Sequence, residues 1–142
     1  GNGIIGTRFR PEAAMLITPF YAALLAVFYV FLSIRTLRVR RRLRIAIGDG
    51  GNEDMLRAMR THANFAEYVP FAVLLIALAE LQGADTGWIH ALGILLLGGR
   101  TAHAWGVSRH PEDFRFRVAG MTLTFLTLLG AAALVLVTPL VS

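Results

Sequence analysis

The sequence contains no cysteine and no lysine, and charged side chains make up only 16% of its 142 residues. Without cysteine the chain has no disulfide, no thiolate ligand for a metal and no cysteine nucleophile. Soluble domains usually carry about a quarter charged residues. Here hydrophobic residues make up 56% of the chain, and this balance favours an integral membrane protein over a soluble domain.

The hydrophobic residues form long continuous blocks, without the alternating polarity of membrane-spanning strands. Residues 13–34 and 118–142 contain no charged side chain, residues 86–108 contain one arginine, and residues 61–79 contain one glutamate. A hydrocarbon core of about 30 Å is crossed by roughly 20 helical residues. The blocks predict an all-α fold, a bundle of four transmembrane helices at about 13–43, 53–82, 86–107 and 114–139.

Local signals mark the ends of these helices and the extent of the domain. Asn52 follows a glycine-rich turn at 48–51 and is predicted to cap the second helix, with two acidic residues next to the positive end of that helix.

No internal repeat or domain boundary is visible, so residues 15–142 are predicted to form one membrane domain. Residues 1–14 are interpreted as an N-terminal extension or a cloning remnant that precedes Met15.

Basic residues are distributed unevenly among the predicted connections. Six arginines lie between Arg35 and Arg44, three more lie in 108–117, and none lies in 81–87. Because basic residues are retained on the cytoplasmic side of a membrane, we expect connections one and three in the cytoplasm and both termini outside. The net charge of +5 is explained by these flanking arginines. No nucleic-acid-binding motif is present, and no nucleic-acid partner is expected.

The second predicted helix carries a polar face. Arg57, Arg60, Asn64 and Glu67 are spaced by three, four and three residues, which places them within a sector of roughly 80° on a helix. An ionised residue inside an apolar span costs roughly 2.5–3.5 kcal/mol unless it is paired or faces water. The face is therefore either a structural network, in which Glu67 pairs with an arginine, or a binding site for charged groups. The spacing alone leaves both open.

The run Arg60-x-x-x-Asn64-x-x-Glu67-Tyr68-x-Pro70 resembles the signature of the MAPEG family. These are membrane-associated proteins of eicosanoid and glutathione metabolism, and they include glutathione transferases, eicosanoid synthases and a non-enzymatic lipid-binding member. The likeness is greatest to short bacterial members. The resemblance implies a homotrimer, in this case in a bacterial inner membrane, that binds glutathione between subunits near the cytoplasmic face.

Three weaker likenesses occur in the same order along the chain. They are the arginine-rich end of the first helix with its glycine turn, the segment 99–103, and the segment 115–117. By family correspondence, the residues that would bind glutathione are Arg38, Arg57, Arg60, Asn64, Glu67, Tyr68, Arg100 and His103. Arginine forks match the carboxylates of glutathione, and a carboxylate can receive its ammonium. For Arg38, Arg100 and His103, an ordinary structural role is the alternative.

The resemblance also implies how the thiol is activated. The thiolate is the nucleophile, and a neighbouring guanidinium lowers the pKa of a thiol by stabilising its anion. The family places such an arginine at the start of the fourth helix, where Arg117 is the best match and Arg115 the alternative. Two positions apart on a helix, they cannot face the same site. Segments 103–107 and 117–121 lack the tyrosines of the eicosanoid synthases, which argues against prostaglandin and leukotriene synthesis.

These features predict a glutathione-dependent membrane transferase or peroxidase of detoxification type. Glutathione or a related thiol would be the co-substrate, and a lipophilic electrophile or hydroperoxide would enter from the lipid bilayer. No metal is expected, because the four histidines show no ligand spacing with acidic partners. One alternative is a non-catalytic MAPEG-type protein that binds lipid or a protein partner at the same site. Another is a small transporter or a structural trimer.

Overall fold

The computed structural model describes residues 17–141, in which all regular secondary structure is helical. In this part of the chain there are four helices: α1 (Thr18–Leu43), α2 (Glu53–Leu81), α3 (Thr86–Ser108) and α4 (Phe114–Val141). The prediction of an all-α chain with four helices is confirmed. The predicted extension 1–14 and the first residues of the helix predicted from 13 lie outside the described residues.

The helix ends are set by local capping groups. The Asn52 side chain accepts a hydrogen bond from the backbone N–H of Met55 at 3.1 Å, as the sequence predicted for the start of α2. Asp85 caps α3 in the same way, through the N–H of Gly87 at 2.9 Å. Glu80, near the end of α2, accepts from the N–H groups of Ile17 and Thr18 at 2.7 and 2.8 Å. Its carboxylate thus binds the first backbone donors of α1.

The helices pack as a bundle in which α2 contacts each of the other three. The closest packing is between α3 and α4, whereas α1 and α4 do not touch within the described residues. Gly120 on α4 makes that close approach possible: a Cβ there would lie 2.5 Å from both the Gly99 carbonyl oxygen and the His103 backbone nitrogen. The core is apolar and includes Leu25, Phe65 and Leu96.

The outer surface of the bundle is also apolar. Large hydrophobic side chains such as Val27, Leu129 and Leu136 are exposed on the protomer, as expected where lipid rather than water is the solvent. By length and composition, α1, α2 and α4 are each able to cross a membrane. α3 has 23 residues, but Arg100 and two histidines lower its hydropathy.

Candidate functional site

Polar side chains from three helices surround one cavity at the end of the bundle where α2 begins and α3 ends. The cavity has a volume of about 270 Å³ and is lined by Glu53, Leu56, Arg57, Arg60, Asn64, His103, Val107, Glu112 and Arg117. Five of these residues are ones that the sequence analysis selected: Arg57, Arg60, Asn64, His103 and Arg117. They come from α2, α3 and α4, so the fold brings together residues up to 60 positions apart.

The first three turns of α2 supply most of the polar wall. Arg57 is largely buried and Arg60 is exposed, and both follow the acidic first turn of the helix. The Arg57 Nη2 atom lies 3.9 Å from Glu53 Oε2, one turn earlier. Arg60 forms no ion pair within residues 17–141. Its guanidinium is therefore available to an anionic ligand.

Glu112 connects the arginines of α2 and α4 across the cavity. Its Oε1 lies 2.8 Å from Arg117 Nη1, and its Oε2 lies 3.5 Å from Arg57 Nη1. The sequence analysis did not select Glu112, because it lies in the connection before α4, where no helical spacing relates it to Arg57. Glu53 was also missed as a wall residue, although its four-residue spacing from Arg57 is the usual signal of an ion pair on a helix.

Arg100 lies beneath the cavity rather than in its wall. Its side chain is only 1% exposed, and its Nη1 donates to Asn64 Oδ1 at 2.6 Å. A weaker contact of 3.4 Å joins its Nη2 to the Gly120 carbonyl oxygen. Because the Asn64 oxygen is used by Arg100, the NH2 group of Asn64 is what a ligand in the cavity can contact.

Tyr68 also belongs to this lower layer and does not line the cavity. Its ring packs edge to face against Phe125, with 5.7 Å between centroids, and the Arg100 guanidinium carbon lies 6.0 Å from its ring centroid. His103, by contrast, is buried and does reach the cavity wall. Arg100 and His103 share the same face of α3, as their spacing predicted, but lie at different depths.

Glu67 and Arg38 lie outside the cavity of the protomer. Glu67 is exposed, and no arginine of the described residues pairs with it. The structural alternative that paired Glu67 with an arginine is thus not formed within one protomer. Arg38 lies on α1 and lines a separate cleft with Arg35 and Arg42.

Arg117 and Arg115, the two candidates for the arginine that stabilises the thiolate, occupy different positions at the start of α4. Arg117 lines the cavity and Arg115 does not. The α4 N-terminus is fixed by Asp113, whose Oδ1 accepts from the Arg115 N–H at 3.1 Å and whose carbonyl accepts from the Arg117 N–H at 3.2 Å. Of the two candidates, Arg117 is the one that lines this cavity.

The cavity wall has a positive balance of charge. Arg57, Arg60 and Arg117 face Glu53 and Glu112, and the Arg100 guanidinium lies directly below. Such a wall suits a ligand with several anionic groups and one cationic group, because arginines bind carboxylates in a forked geometry and a free carboxylate receives an ammonium.

Comparison with known proteins identifies the class. The MAPEG family model matches residues 18–137, from the first residue of α1 through most of α4, and covers every residue of the cavity. The chain therefore belongs to the MAPEG family and is an integral membrane protein, and the family predicted from the run Arg60 to Pro70 is confirmed.

Among particular proteins, the chain is similar to inner membrane protein YecN of Escherichia coli strain K12. The two are 39% identical over 114 residues, which is 80% of this chain and 86% of the relative. The same identity and coverage are found for inner membrane protein YecN of Escherichia coli O6:H1, strain CFT073. These names state a location and no reaction.

Proposed function

We propose that this protein is a glutathione-dependent membrane transferase or peroxidase. The observation that supports the proposal is the convergence of the α2 arginines and Arg117 on one cavity. In this proposal Arg117 stabilises the thiolate of glutathione. The thiolate either displaces the leaving group of a lipophilic electrophile, or attacks a hydroperoxide to give an alcohol and a glutathione sulfenic acid, which a second glutathione converts to the disulfide with release of water. The proton of the thiol is released to water. No metal takes part.

The chemistry of glutathione fits the groups in the wall. The tripeptide has two carboxylates, one ammonium and a thiol. Arg57 and Arg60 would bind carboxylates through paired N–H donors, and the NH2 group of Asn64 would donate to a peptide carbonyl. A guanidinium next to a thiol favours the thiolate because opposite charges attract. This assigns the thiol to Arg117, on the opposite wall of the cavity.

We further propose that all four helices span the bacterial inner membrane and that the protein is a homotrimer. Burial of Arg100 and His103 inside the bundle would remove from lipid two of the three polar groups that make α3 less apolar, and the third, His90, is hydrogen-bonded to Tyr21 at 2.9 Å. Glu67 on α2 is exposed and forms no ion pair within residues 17–141, so it would face water or a neighbouring subunit, because an isolated charge in lipid is unfavourable. A site completed by the neighbouring subunit would also bring Glu67 and Arg38 to the ligand.

A groove along α3 supports a substrate that enters from the bilayer. It has a volume of about 810 Å³ and is lined by Ile94, Leu97, Gly98, Thr101, Ala102, Trp105, Arg109 and Phe116. The lining is mostly apolar and faces outward, and Arg109 lies over the Trp105 ring at 4.5 Å from its centroid. A lipophilic molecule would lie here, with its polar end near the arginine.

The test of the proposal is thiolate formation. Glutathione added to the purified protein in detergent should give the ultraviolet absorbance of a thiolate at neutral pH. Arg117→Ala should lower that absorbance on the order of tenfold, because an adjacent positive charge shifts an acid by about 1–3 pKa units. Turnover with an aryl halide and with a lipid hydroperoxide should fall in parallel.

Arg115→Ala is the matched control, since Arg115 lies two residues away and outside the cavity. It should keep both the thiolate absorbance and the turnover. An equal signal from the wild type and Arg117→Ala would remove Arg117 from the mechanism. If the wild type binds neither glutathione nor a related thiol, the proposal fails as a whole.

A second candidate function is non-catalytic binding of a lipid or a protein partner by the same family fold. Two observations favour it: Glu112 already pairs with Arg57 and Arg117, and Asn64 is already bonded to Arg100. This candidate predicts ligand binding without turnover, and activity assays that no α2 substitution changes. The same thiolate and turnover measurements therefore separate the two functions.

A further inference from the structure

The Glu112 carboxylate lies between two walls of the cavity, one that carries Arg57 on α2 and one that carries Arg117 on α4. Glu112 is the one acidic residue of residues 17–141 that pairs with two arginines of different elements, at 2.8 Å to Arg117 Nη1 and 3.5 Å to Arg57 Nη1. Its side chain is only 15% exposed. An anionic ligand group that binds Arg117 from inside the cavity therefore competes with Glu112 for this guanidinium.

The backbone that follows Glu112 is fixed. The Asp113 N–H donates to the Gly106 carbonyl at 3.1 Å, and the Arg117 N–H donates to the Asp113 carbonyl at 3.2 Å. A Cβ at Gly106 would lie 2.6 Å from the Arg117 backbone nitrogen, so α3 and α4 meet closely at this point. Glu112 can therefore leave the arginines by rotation of its own side chain, while both helices stay in place.

In the ion pair between Glu112 and Arg117, the Glu112 carboxylate can be replaced by an anionic group of a ligand. The Arg117 side chain is 47% exposed, and an ion pair open to solvent on one side is weakened by water and salt. The thiolate of a bound ligand, held in place by other contacts, can take over such a guanidinium. Arg57 is more buried, at 22% exposure, and lies 3.5 Å from Glu112 Oε2, so it can keep the carboxylate in the cavity wall after Arg117 is released.

We propose that Glu112 is a resident anion of this site, which pairs with Arg57 and Arg117 while the cavity is empty and competes with the ligand thiolate for Arg117. It acts through Arg117 and is a positioning residue, one that sets how much of the bound thiol is ionised. The consequence is selectivity: a ligand must bring enough additional contacts to displace the carboxylate. This inference rests on the proposed glutathione-dependent function.

Glu112→Gln tests the inference, because it keeps the shape of the side chain and removes its charge. The thiolate absorbance of bound glutathione is titrated against pH in the wild type and the variant. The midpoint should fall by about half to one pH unit in the variant, so that about three- to tenfold more thiolate is present below the midpoint. A structural role alone would leave this midpoint in place.

Asp54→Asn is the control, since Asp54 lies outside the cavity, pairs with Arg42 at 3.5 Å, and has a side chain that is 60% exposed. Its titration midpoint should equal that of the wild type. If Glu112→Gln does not fold, Glu112→Asp replaces it: one methylene shorter, it cannot bridge both arginines, and a smaller fall in the midpoint is expected.

The outcomes separate this inference from the proposed function. A midpoint that is unchanged or higher in Glu112→Gln, with thiolate formed in the wild type, overturns the role of Glu112 and leaves the proposed function standing. The absence of glutathione binding in both proteins overturns both. A lower midpoint in Glu112→Gln with an unchanged midpoint in Asp54→Asn supports the inference.

Discussion

At the scale of single residues, Arg100 is the most deeply buried charged side chain of residues 17–141. No carboxylate of this part of the chain pairs with it. Its shortest hydrogen bond is to Asn64 Oδ1 at 2.6 Å, and the buried Nε atom has no partner. A buried charge is stable only when hydrogen bonds replace its water. Asn64 is therefore both a wall residue of the cavity and the main support of Arg100.

Asn64→Ala should destabilise the protein even in the absence of any thiol. Removal of the short bond leaves Arg100 buried without its strongest acceptor, and we expect a loss of about 2–4 kcal/mol in the free energy of unfolding. Denaturant or thermal unfolding in detergent measures it. Asn64→Asp, which keeps an acceptor oxygen, should retain the stability, and so should Arg60→Ala, since Arg60 forms no ion pair in the described residues. Equal stability of Asn64→Ala and the wild type would contradict this reading.

At the scale of helices, the contact between α3 and α4 positions the site. These helices carry His103 and Arg117 on facing sides, and they approach closely because Gly99 and Gly120 have no side chain between them. A Cβ at Gly120 would lie 2.5 Å from the Gly99 carbonyl oxygen. The distance between the α3 and α4 walls of the cavity therefore depends on a glycine contact that lies one helical turn from His103 and Arg117.

Gly120→Ala should separate α3 from α4 and lower the free energy of unfolding by about 1–3 kcal/mol, the usual effect of overpacking. Thiolate formation should fall as well, because Arg117 lies one turn before Gly120 on the same helix. Unfolding and thiolate absorbance are measured on the same preparation.

Gly98→Ala is the matched control for this helix contact. A Cβ at Gly98 meets nothing within 4 Å, so the substitution should be neutral or stabilise the helix by up to about 1 kcal/mol. If Gly98→Ala and Gly120→Ala lower stability equally, the close approach at Gly120 is not what holds the two helices together.

At the scale of the whole molecule, the distribution of arginines supports the orientation that we propose, with the first and third connections in the cytoplasm and both termini outside. Six arginines lie in residues 35–44, at the end of α1 and the first position after it, whereas the connection between α2 and α3 contains none. The cavity opens at the arginine-rich end, where α1 ends and α2 begins. With that end in the cytoplasm, the cavity faces the compartment that holds glutathione, and the apolar flanks of the helices face lipid.

The absence of cysteine makes this orientation simple to test. Ile47→Cys places a single thiol in the first connection, where Ile47 is 91% exposed, and Gln82→Cys places one in the second. A membrane-impermeant maleimide should label Gln82→Cys in cells with a permeable outer membrane. It should label Ile47→Cys only after the inner membrane is opened, because arginine-rich connections stay in the cytoplasm. The cysteine-free parent is the background, and the reverse labelling pattern would exclude the proposed orientation.

The sequence by itself determined the features that depend on short stretches of chain. Four helices follow from the length of the apolar blocks, and the start of α2 at Glu53 follows from the Asn52 cap, because both signals act within a few residues. The helical period also placed Arg57, Arg60 and Asn64 on one wall, since residues three and four apart share a face. The same local run was sufficient to predict the family.

Only the tertiary structure decided how these helices combine into a site. It selected Arg117 over Arg115, placed Arg38 in a separate cleft, set Arg100 below the cavity on Asn64, and left Glu67 outside the cavity of the protomer. It also brought Glu112 between Arg57 and Arg117. These contacts depend on where α3 and α4 cross α2 and on the path of the connection before α4. The spacing of residues within one helix does not predict these crossing points or the path of this connection. It fixes only the directions in which side chains point around that helix, and not the distance to a neighbouring helix.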